Sequence, residues 1–202
     1  MPYLVLLRHG ESTWNASGKI AGTADIALTA TGRKQAVATA QKLQDIPISA
    51  VFGSPLWRTI QSYEAICPVL GLENIAYIEA VALAEHDFGT YTGRLKADLK
   101  KELGADGYRT LMNSWGEPTG GGESLSDVYN RAKEYFKKVI QPLLMQGDNV
   151  LVISHHHTLR ALMSYLGKDP HGVITSEKIA NGGAVVYELD KNGEIITRRL
   201  LS

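Results

Sequence analysis

The chain has 202 residues, with 21 lysines and arginines against 21 aspartates and glutamates, 44% hydrophobic residues and one cysteine. A chain of this size buries a core without disulfides or structural metals, so we expect one domain from a reducing compartment, with Cys67 as a packing residue. The zero net charge disfavours nucleic acid or an anionic membrane as the main partner. The apolar run before Arg8 is too short for a signal peptide or a membrane span, so we expect a cytoplasmic protein.

Short apolar β-rich runs alternate with longer segments of helical periodicity, which is typical of an α/β protein with a mainly parallel sheet. The predicted strands are 3–8, 49–54, 75–79, 150–154, 184–189 and 194–201. The predicted helices are 32–44, 56–67, 124–141 and 157–167, with a less regular helical region across 94–115. The Asn-Gly turn at 192–193 predicts that residues 184–201 form an antiparallel pair at one edge of the sheet.

The helix predicted at 124–141 has the clearest signal. Its apolar residues recur at steps of three and four, and Ser124 with Asp127 predicts a capping box at its start. No repeat or long linker divides the chain. We therefore expect a single domain over 1–202, in which residues 86–123 form a cap over the active site.

Ligands of parallel α/β sheets bind beyond the carboxyl ends of the strands, so the residues that follow each strand are candidate site residues. The first predicted strand delivers Arg8 and His9, and the second leads to Arg58 in the first turn of a helix. Glu85 follows the third strand and His155 follows the fourth. The topology therefore predicts two guanidinium groups, two imidazoles and one carboxyl group on a common rim.

This set of side chains favours a phosphomonoester dianion as ligand, because guanidinium groups match phosphate oxygens and an imidazole supplies a donor or a nucleophile. Phosphoryl transfer needs mainly placement and charge neutralisation, so no metal is expected. Glu85 is expected to protonate the leaving oxygen, provided that burial raises its pKa. Consecutive histidines lack zinc-site spacing, so His156 and His157 are expected on the cavity wall or facing solvent.

Residues 7–15 (LRHGESTWN) resemble the RHG signature of the histidine phosphatase (phosphoglycerate mutase) superfamily. Further segments resemble the other motifs of that family: 22–32, 54–59 (SPLWRT), 121–124 (GGES) and 154–162 (SHHHTLRAL). The resemblance covers about the whole chain. It implies a three-layer α/β/α sandwich around a mainly parallel six-stranded sheet with one antiparallel edge strand.

The resemblance also implies a role for each residue of the rim. His9 is expected to be the nucleophile that becomes phosphorylated, while Arg8, Arg58 and His155 hold the phosphoryl oxygens. Glu85 is expected to act as general acid and, in the return step, as general base. The substrate-binding residues implied are Asn15, Gly22 through its backbone N–H, Ser12, Lys96 and His156.

The superfamily contains hydrolases and isomerases, and this sequence resembles both. Residues 155–162 and 182–190 are similar to the bisphosphoglycerate-dependent mutases, whereas residues 83–93 are more similar to the phosphatases. The adjacent arginines that mutases place over the substrate carboxylate are Met112 and Asn113 here.

Other departures bear on the choice between the two branches. Arg94 and Arg109 are nearby cations that could replace the missing arginine pair, and Ala21 matches neither branch. The chain ends at Ser202 without the longer tail that closes over substrate in mutases, which favours hydrolysis.

The sequence therefore predicts a phosphatase acting on small phosphorylated metabolites through a phosphohistidine, with no required cofactor. The alternative is a phosphoglycerate mutase that interconverts 3- and 2-phosphoglycerate and needs 2,3-bisphosphoglycerate as primer. A non-catalytic binding module is disfavoured, because the nucleophile and the acid are both present. Pairing of the edge strand 194–201 in a homodimer stays open.

Overall fold

A computed structural model describes residues 1–169 and 177–201, and it places six strands in one sheet. The strands are β1 (Tyr3–Arg8), β2 (Ala50–Gly53), β3 (Tyr77–Glu79), β4 (Val150–Ser154), β5 (Ala184–Leu189) and β6 (Ile195–Leu201). Each lies within a predicted strand. The spatial order is β3-β2-β4-β1-β5-β6, so β1 and β4 at the centre are neighbours although they are far apart in sequence.

The direction of the strands divides the sheet into two parts. Strands β3, β2, β4 and β1 are parallel, β5 runs antiparallel to β1, and β6 pairs antiparallel with β5. The predicted hairpin over 184–201 at one edge is therefore confirmed. The one reversed strand is β5, which lies second from the edge, and most of β6 is exposed at the edge itself.

Seven helices are described: α1 (Thr13–Ala16), α2 (Ala30–Gln41), α3 (Trp57–Leu70), α4 (Lys96–Met112), α5 (Leu125–Tyr135), α6 (Gln141–Gln146) and α7 (His156–Leu166). Short 3-10 turns lie at Val81–Leu83, Gly89–Tyr91 and Thr119–Gly121. The predicted capping box is present, since Ser124 accepts from the Asp127 backbone N–H and the Asp127 carboxylate accepts from the Ser124 backbone N–H.

Two predicted helices differ from the structure in detail. The helix expected at 124–141 is α5, a five-residue π-helical segment at Phe136–Ile140, and α6. The helical region across 94–115 is α4, which is bent at Gly104 because that residue has φ 70° and ψ 172°. Glycine is the residue that adopts such angles without steric cost.

The core consists of two apolar layers, one on each face of the sheet. Leu4 and Leu6 of β1 pack with α5, the π-helical segment, α6 and α7, while Val5 and Leu7 pack with α2 and α3. Alternate residues of a strand point to opposite faces, and this places a helical layer on each side. The predicted three-layer α/β/α sandwich is confirmed. No helix of the described residues is long and apolar enough to cross a membrane.

Candidate active site

A cavity of about 870 Å³ lies where the parallel strands end. The predicted site residues that line it are Arg8, His9, Asn15, Gly22, Arg58, Glu85, Lys96 and His156. Ser12 and His155 do not line it, and both are fully buried. We call Arg8, His9, Arg58 and Glu85 the floor of the cavity.

His9 follows β1 directly and is 3% exposed. Its Nδ1 lies 2.6 Å from the carbonyl oxygen of Gly10, which can only accept, so Nδ1 carries the proton of the neutral ring. Burial, together with the charges of Arg58 and Arg8, lowers the pKa of His9 well below its ordinary value. His9 is therefore a neutral imidazole with its Nε2 lone pair free to bond an electrophile.

Arg58 is held between the loop at 22–24 and His155. Its two terminal nitrogens donate to the carbonyl oxygens of Gly22 and Ala24, each at 2.7 Å, and its Nε donates to His155 Nδ1 at 3.1 Å. Burial lowers the pKa of Arg58 to about 10, so the group stays charged at neutral pH. These contacts fix a desolvated cation at the floor of the cavity.

His155 lies behind the floor, with its ring centroid 5.0 Å from that of His9. Its Nδ1 accepts from Arg58 and its Nε2 lies 2.7 Å from the hydroxyl of Ser54, so both nitrogens have partners. The structure thus does not bring His155 to the cavity surface. Its contact with Arg58 shows how it can orient that guanidinium.

Arg8 is held by the segment that precedes the reversed strand β5. Its Nη1 donates to the carbonyl oxygen of Ile179 at 2.6 Å, and its backbone N–H donates to Gly183. The next residue, His9, accepts from the Gly182 backbone N–H. The residues before β5 therefore position both members of the Arg8-His9 pair.

Glu85 lies on the loop after β3, opposite the N-terminus of α7. Its Oε1 accepts from the backbone N–H groups of His86 at 2.9 Å and of His157 at 3.1 Å, and the His157 ring lies 3.6 Å away. Burial favours a raised pKa, but the contacts with His157 and His86 outweigh it and hold the pKa of Glu85 well below its ordinary value. The expectation of a raised pKa is wrong, because the His157 ring and two backbone N–H groups, one of them at the N-terminus of α7, stabilise the carboxylate.

Asn15 and Ser12 are bonded to each other at the start of α1. The Asn15 Oδ1 accepts from the Ser12 backbone N–H, from its hydroxyl and from Asn181. This leaves the amide nitrogen of Asn15 as the donor available to a ligand. The Ser12 hydroxyl is used in the N-cap of α1.

The amino-acid sequence of the chain also matches a known protein family. Residues 4–200 match the family model of the histidine phosphatase superfamily (branch 1). The chain belongs to the histidine phosphatase superfamily.

Relatives within this superfamily carry the names of enzymes, and the chain is an enzyme of this family. A 2,3-bisphosphoglycerate-dependent phosphoglycerate mutase of Parvibaculum lavamentivorans is 33% identical over 200 residues, which cover 98% of this chain and 95% of the relative. A phosphoglycerate mutase of Schizosaccharomyces pombe is also 33% identical, with the same coverage.

Solved structures show the same fold. A mycobacterial glucosyl-3-phosphoglycerate phosphatase superposes with a TM-score of 0.83 at 22% identity, covering 99% of this chain and 97% of that one. The alpha-ribazole phosphatase of Shigella flexneri superposes with a TM-score of 0.81 at 24% identity, covering 98% and 95%. The sheet and helices of this chain are thus those of histidine phosphatases.

The lining of the cavity is cationic although the whole chain has no net charge. The cationic residues that line the cavity are Arg8, Lys19, Arg58, Lys96, Lys100, Arg109, Arg160 and Lys178, against the carboxylates of Glu85 and Glu177. Burial, Arg8 and Lys100 lower the pKa of Lys96. Such an excess of cations attracts anionic ligands.

Helix α4 and its C-cap Asn113 form one wall of the cavity. Met112 and Asn113, at the positions matched to the arginine pair of mutases, line the cavity. Arg109 lines it too, whereas Arg94 pairs with Glu102 and stands near the Tyr91 ring. Of the two arginines considered as replacements, Arg109 is therefore the one at the cavity.

Sequence reasoning missed the contacts around Glu85. His157, expected on the wall or in solvent, does line the cavity, but it is also buried with its ring 3.6 Å from the Glu85 carboxylate, a contact that was not expected. Arg131 of α5 binds the loop of Glu85 and was not singled out. Its position next to buried Ala132, on a helix whose apolar side faces the core, is a signal that could have found it. His155, His156 and His157 diverge, and the described residues contain no group of three or more metal-ligating side chains.

Proposed function

We propose that this histidine phosphatase superfamily member is a phosphomonoester hydrolase that forms a phosphohistidine on His9. The observation that carries the proposal is the neutral imidazole of His9, fixed by its bond to Gly10 and flanked by Arg8 and Arg58. In the first step, Nε2 bonds to phosphorus as the ester P–O bond breaks, and Glu85 gives a proton to the leaving oxygen. In the second, water gives a proton to Glu85 and attacks phosphorus, and the P–N bond breaks to release inorganic phosphate.

Arg8 and Arg58 supply the charge stabilisation for both steps. Their guanidinium groups are fixed by backbone carbonyl groups, so they need little reorganisation as charge moves to the phosphoryl oxygens. His155 contributes through its bond to Arg58 Nε. Asn15, Gly22, Lys96 and the wall residue His156 bind the rest of the substrate.

Glu85 must be protonated to act as an acid, although its pKa is low in the structure. A phosphoryl dianion bound to the floor lies close to this carboxylate and repels its charge. That repulsion raises the pKa of Glu85 when substrate binds. Binding of the substrate thus favours the protonated form of Glu85, which is the form that acts as the acid.

Hydrolysis is favoured over isomerisation by the wall of α4, where the neutral side chains of Met112 and Asn113 line the cavity. A phosphoglycerate mutase remains the second candidate, because Lys96, Lys100 and Arg109 add cations beyond those on the floor. They could hold a second anionic group, such as that of the 2,3-bisphosphoglycerate primer. The mutase relatives carry this primer in their names.

The test compares an aryl phosphate, several phosphorylated acids, and 3-phosphoglycerate with and without 2,3-bisphosphoglycerate. We expect phosphate release without primer, an acid-labile phosphoenzyme, and the loss of both in His9→Ala, whose folding is checked by its melting temperature. Rapid isomerisation of 3-phosphoglycerate with no phosphate release from any ester contradicts the hydrolase. Full turnover by His9→Ala contradicts the phosphohistidine in either candidate.

We also propose that the protein works in the cytoplasm on small phosphorylated metabolites. The cavity volume of about 870 Å³ suits such ligands. The exposed edge strand β6 is the surface through which a homodimer would form, and light scattering in solution tests this.

A further inference from the structure

Arg131, on α5, binds the loop of Glu85 with every N–H of its guanidinium group. Its Nε and Nη2 donate to the two carboxylate oxygens of Glu123 at 2.7 and 2.9 Å. Its Nη1 donates to the carbonyl oxygens of Ala82 and Ala84 at 2.8 and 2.9 Å, and Nη2 also donates to that of Glu85 at 3.1 Å. An arginine has five such donors, so all of them are used.

Glu123 completes the attachment from the turn before α5. Its Oε2 accepts from the Asp87 backbone N–H at 3.0 Å, and its own backbone N–H donates to the Asp87 carbonyl oxygen at 2.9 Å. Its carbonyl oxygen lies 2.7 Å from His86 Nε2. Glu123 therefore holds the two residues after Glu85, while Arg131 holds the residues before it.

Side chains bind the carbonyl oxygens of this loop. The Leu83 carbonyl oxygen accepts from the Ser154 hydroxyl at 2.7 Å, and that of Ala84 also accepts from the Thr158 hydroxyl. With the bonds from Arg131, each carbonyl oxygen from 82 to 85 has a side-chain partner. Such a network fixes the backbone on which the carboxyl group of Glu85 stands.

The ion pair itself lies outside the cavity. Neither Arg131 nor Glu123 is among the residues that line it, and their side chains are only 22% and 24% exposed. A bound substrate in the cavity touches neither residue. Any effect of the pair on the reaction is therefore indirect, and Glu85 is the cavity residue on the segment that Arg131 holds.

We propose that the Arg131–Glu123 ion pair positions the carboxyl group of Glu85 for proton transfer to the leaving oxygen, a role that rests on the proposed phosphohistidine mechanism. A general acid must be within hydrogen-bonding reach of the atom that it protonates, and small displacements reduce the rate strongly. Attack by His9 does not depend on the pair, because the contacts of His9 come from Gly10 and Gly182. Loss of the pair should then impair leaving-group protonation selectively.

The experiment measures kcat/KM of Glu123→Gln and Arg131→Lys for two phosphate esters that differ in the leaving group. A nitrophenolate leaves without protonation, whereas an alkoxide needs the proton. We expect a loss of roughly 10- to 100-fold for the alkyl phosphate and of less than about threefold for the nitrophenyl phosphate. The parameter kcat/KM reports the steps through departure of the leaving group.

Melting temperatures show whether each variant folds. Glu123→Gln carries the test if Arg131→Lys unfolds, because it leaves the bonds from Arg131 to the backbone in place. The matched control is the pair Arg33–Glu64 between α2 and α3, 3.8 Å apart and exposed, where Arg33→Lys and Glu64→Gln should leave both esters unaffected.

Equal losses for the two esters, or no loss for the alkyl ester, overturn the positioning role and leave the proposed function intact. Failure of the proposed function has a different signature, which is the absence of phosphate release from both esters by the unmodified chain or full activity of His9→Ala. That result overturns the positioning role as well.

Discussion

The free energy of unfolding is expected to fall steeply below pH 6.5, because His9 and His155 are buried as neutral imidazoles. They are 3% and 0% exposed, and burial with the nearby guanidinium charges lowers the pKa of both well below the ordinary value. In the unfolded chain each has a pKa of about 6.5. Below that pH the unfolded state binds more protons than the folded state, so stability is lost as the pH falls.

The size of the effect follows from proton linkage and does not depend on how low the folded pKa values lie. From pH 7.5 to pH 5.5, each neutral buried histidine costs about 1.4 kcal/mol of unfolding free energy, or about 3 kcal/mol for His9 and His155 together. His86 and His156, whose pKa values are also lowered by burial, add to this loss. Carboxyl groups with ordinary pKa values near 4 bind few protons at pH 5.5 and contribute little.

Urea unfolding of the unmodified chain and of His155→Gln, each at pH 7.5 and pH 5.5, tests this reasoning. The variant removes one of the two titrating groups, so its loss between the two pH values should be smaller by about 1.4 kcal/mol, whatever its stability at either pH. Total stabilities of about 5–15 kcal/mol make this difference measurable. The reasoning is refuted if the unmodified chain loses no stability, or if both proteins lose the same amount.

Three further predictions concern activity and packing. The alkaline limb of the pH profile, set by Glu85, should lie at higher pH for kcat than for kcat/KM, since the bound dianion raises the pKa of the carboxyl group. The acid limb should lie below the ordinary imidazole pKa, because the pKa of His9 is lowered. Alkaline limbs that coincide for the two parameters would count against the role of Glu85. Gly10→Ala should lower the melting temperature, with a loss of about 1–3 kcal/mol, because a Cβ there would lie 2.0 Å from the Gly32 carbonyl oxygen, whereas Gly116→Ala has open space and should be neutral; equal melting temperatures would contradict this close approach. Dialysis against EDTA should leave turnover unchanged, since the guanidinium groups of Arg8 and Arg58 supply the positive charge at the floor of the cavity, and activity that returned on adding Mg²⁺ or Zn²⁺ would contradict it.

The sequence predicted the framework of the fold because strands and helices are specified locally. Short apolar runs of β-forming residues marked each strand, and the turn at 192–193 marked the hairpin. The π-helical segment at Phe136–Ile140 and the bend of α4 at Gly104 were not predicted, because an apolar pattern of helical spacing does not distinguish them from regular helix. The topology then determined which residues meet at the carboxyl ends of the strands.

The floor of the cavity was predictable by that argument, but the electrostatics of its carboxyl group were not. The pKa of Glu85 depends on two backbone N–H groups, one of them at the N-terminus of α7, and on the ring of His157. The attachment by Arg131 depends on the packing of α5 against the loop of Glu85 on the side away from the cavity. Such contacts join segments that are distant in sequence and leave no local pattern, so they are visible only in the three-dimensional structure.

The reversal of β5 has a consequence for how this scaffold can acquire new substrates. Each parallel strand ends at the cavity, so the segment that follows it lines the cavity. Strand β5 runs the other way and begins there, so the segment that precedes it, including Glu177 and Lys178, lines the cavity instead. This segment is separate from α4, which also lines the cavity. Substitutions at Glu177 and Lys178 would therefore alter selectivity independently of α4, whereas the backbone from Ile179 to Gly183, which holds Arg8 and His9, must be kept for the chemistry.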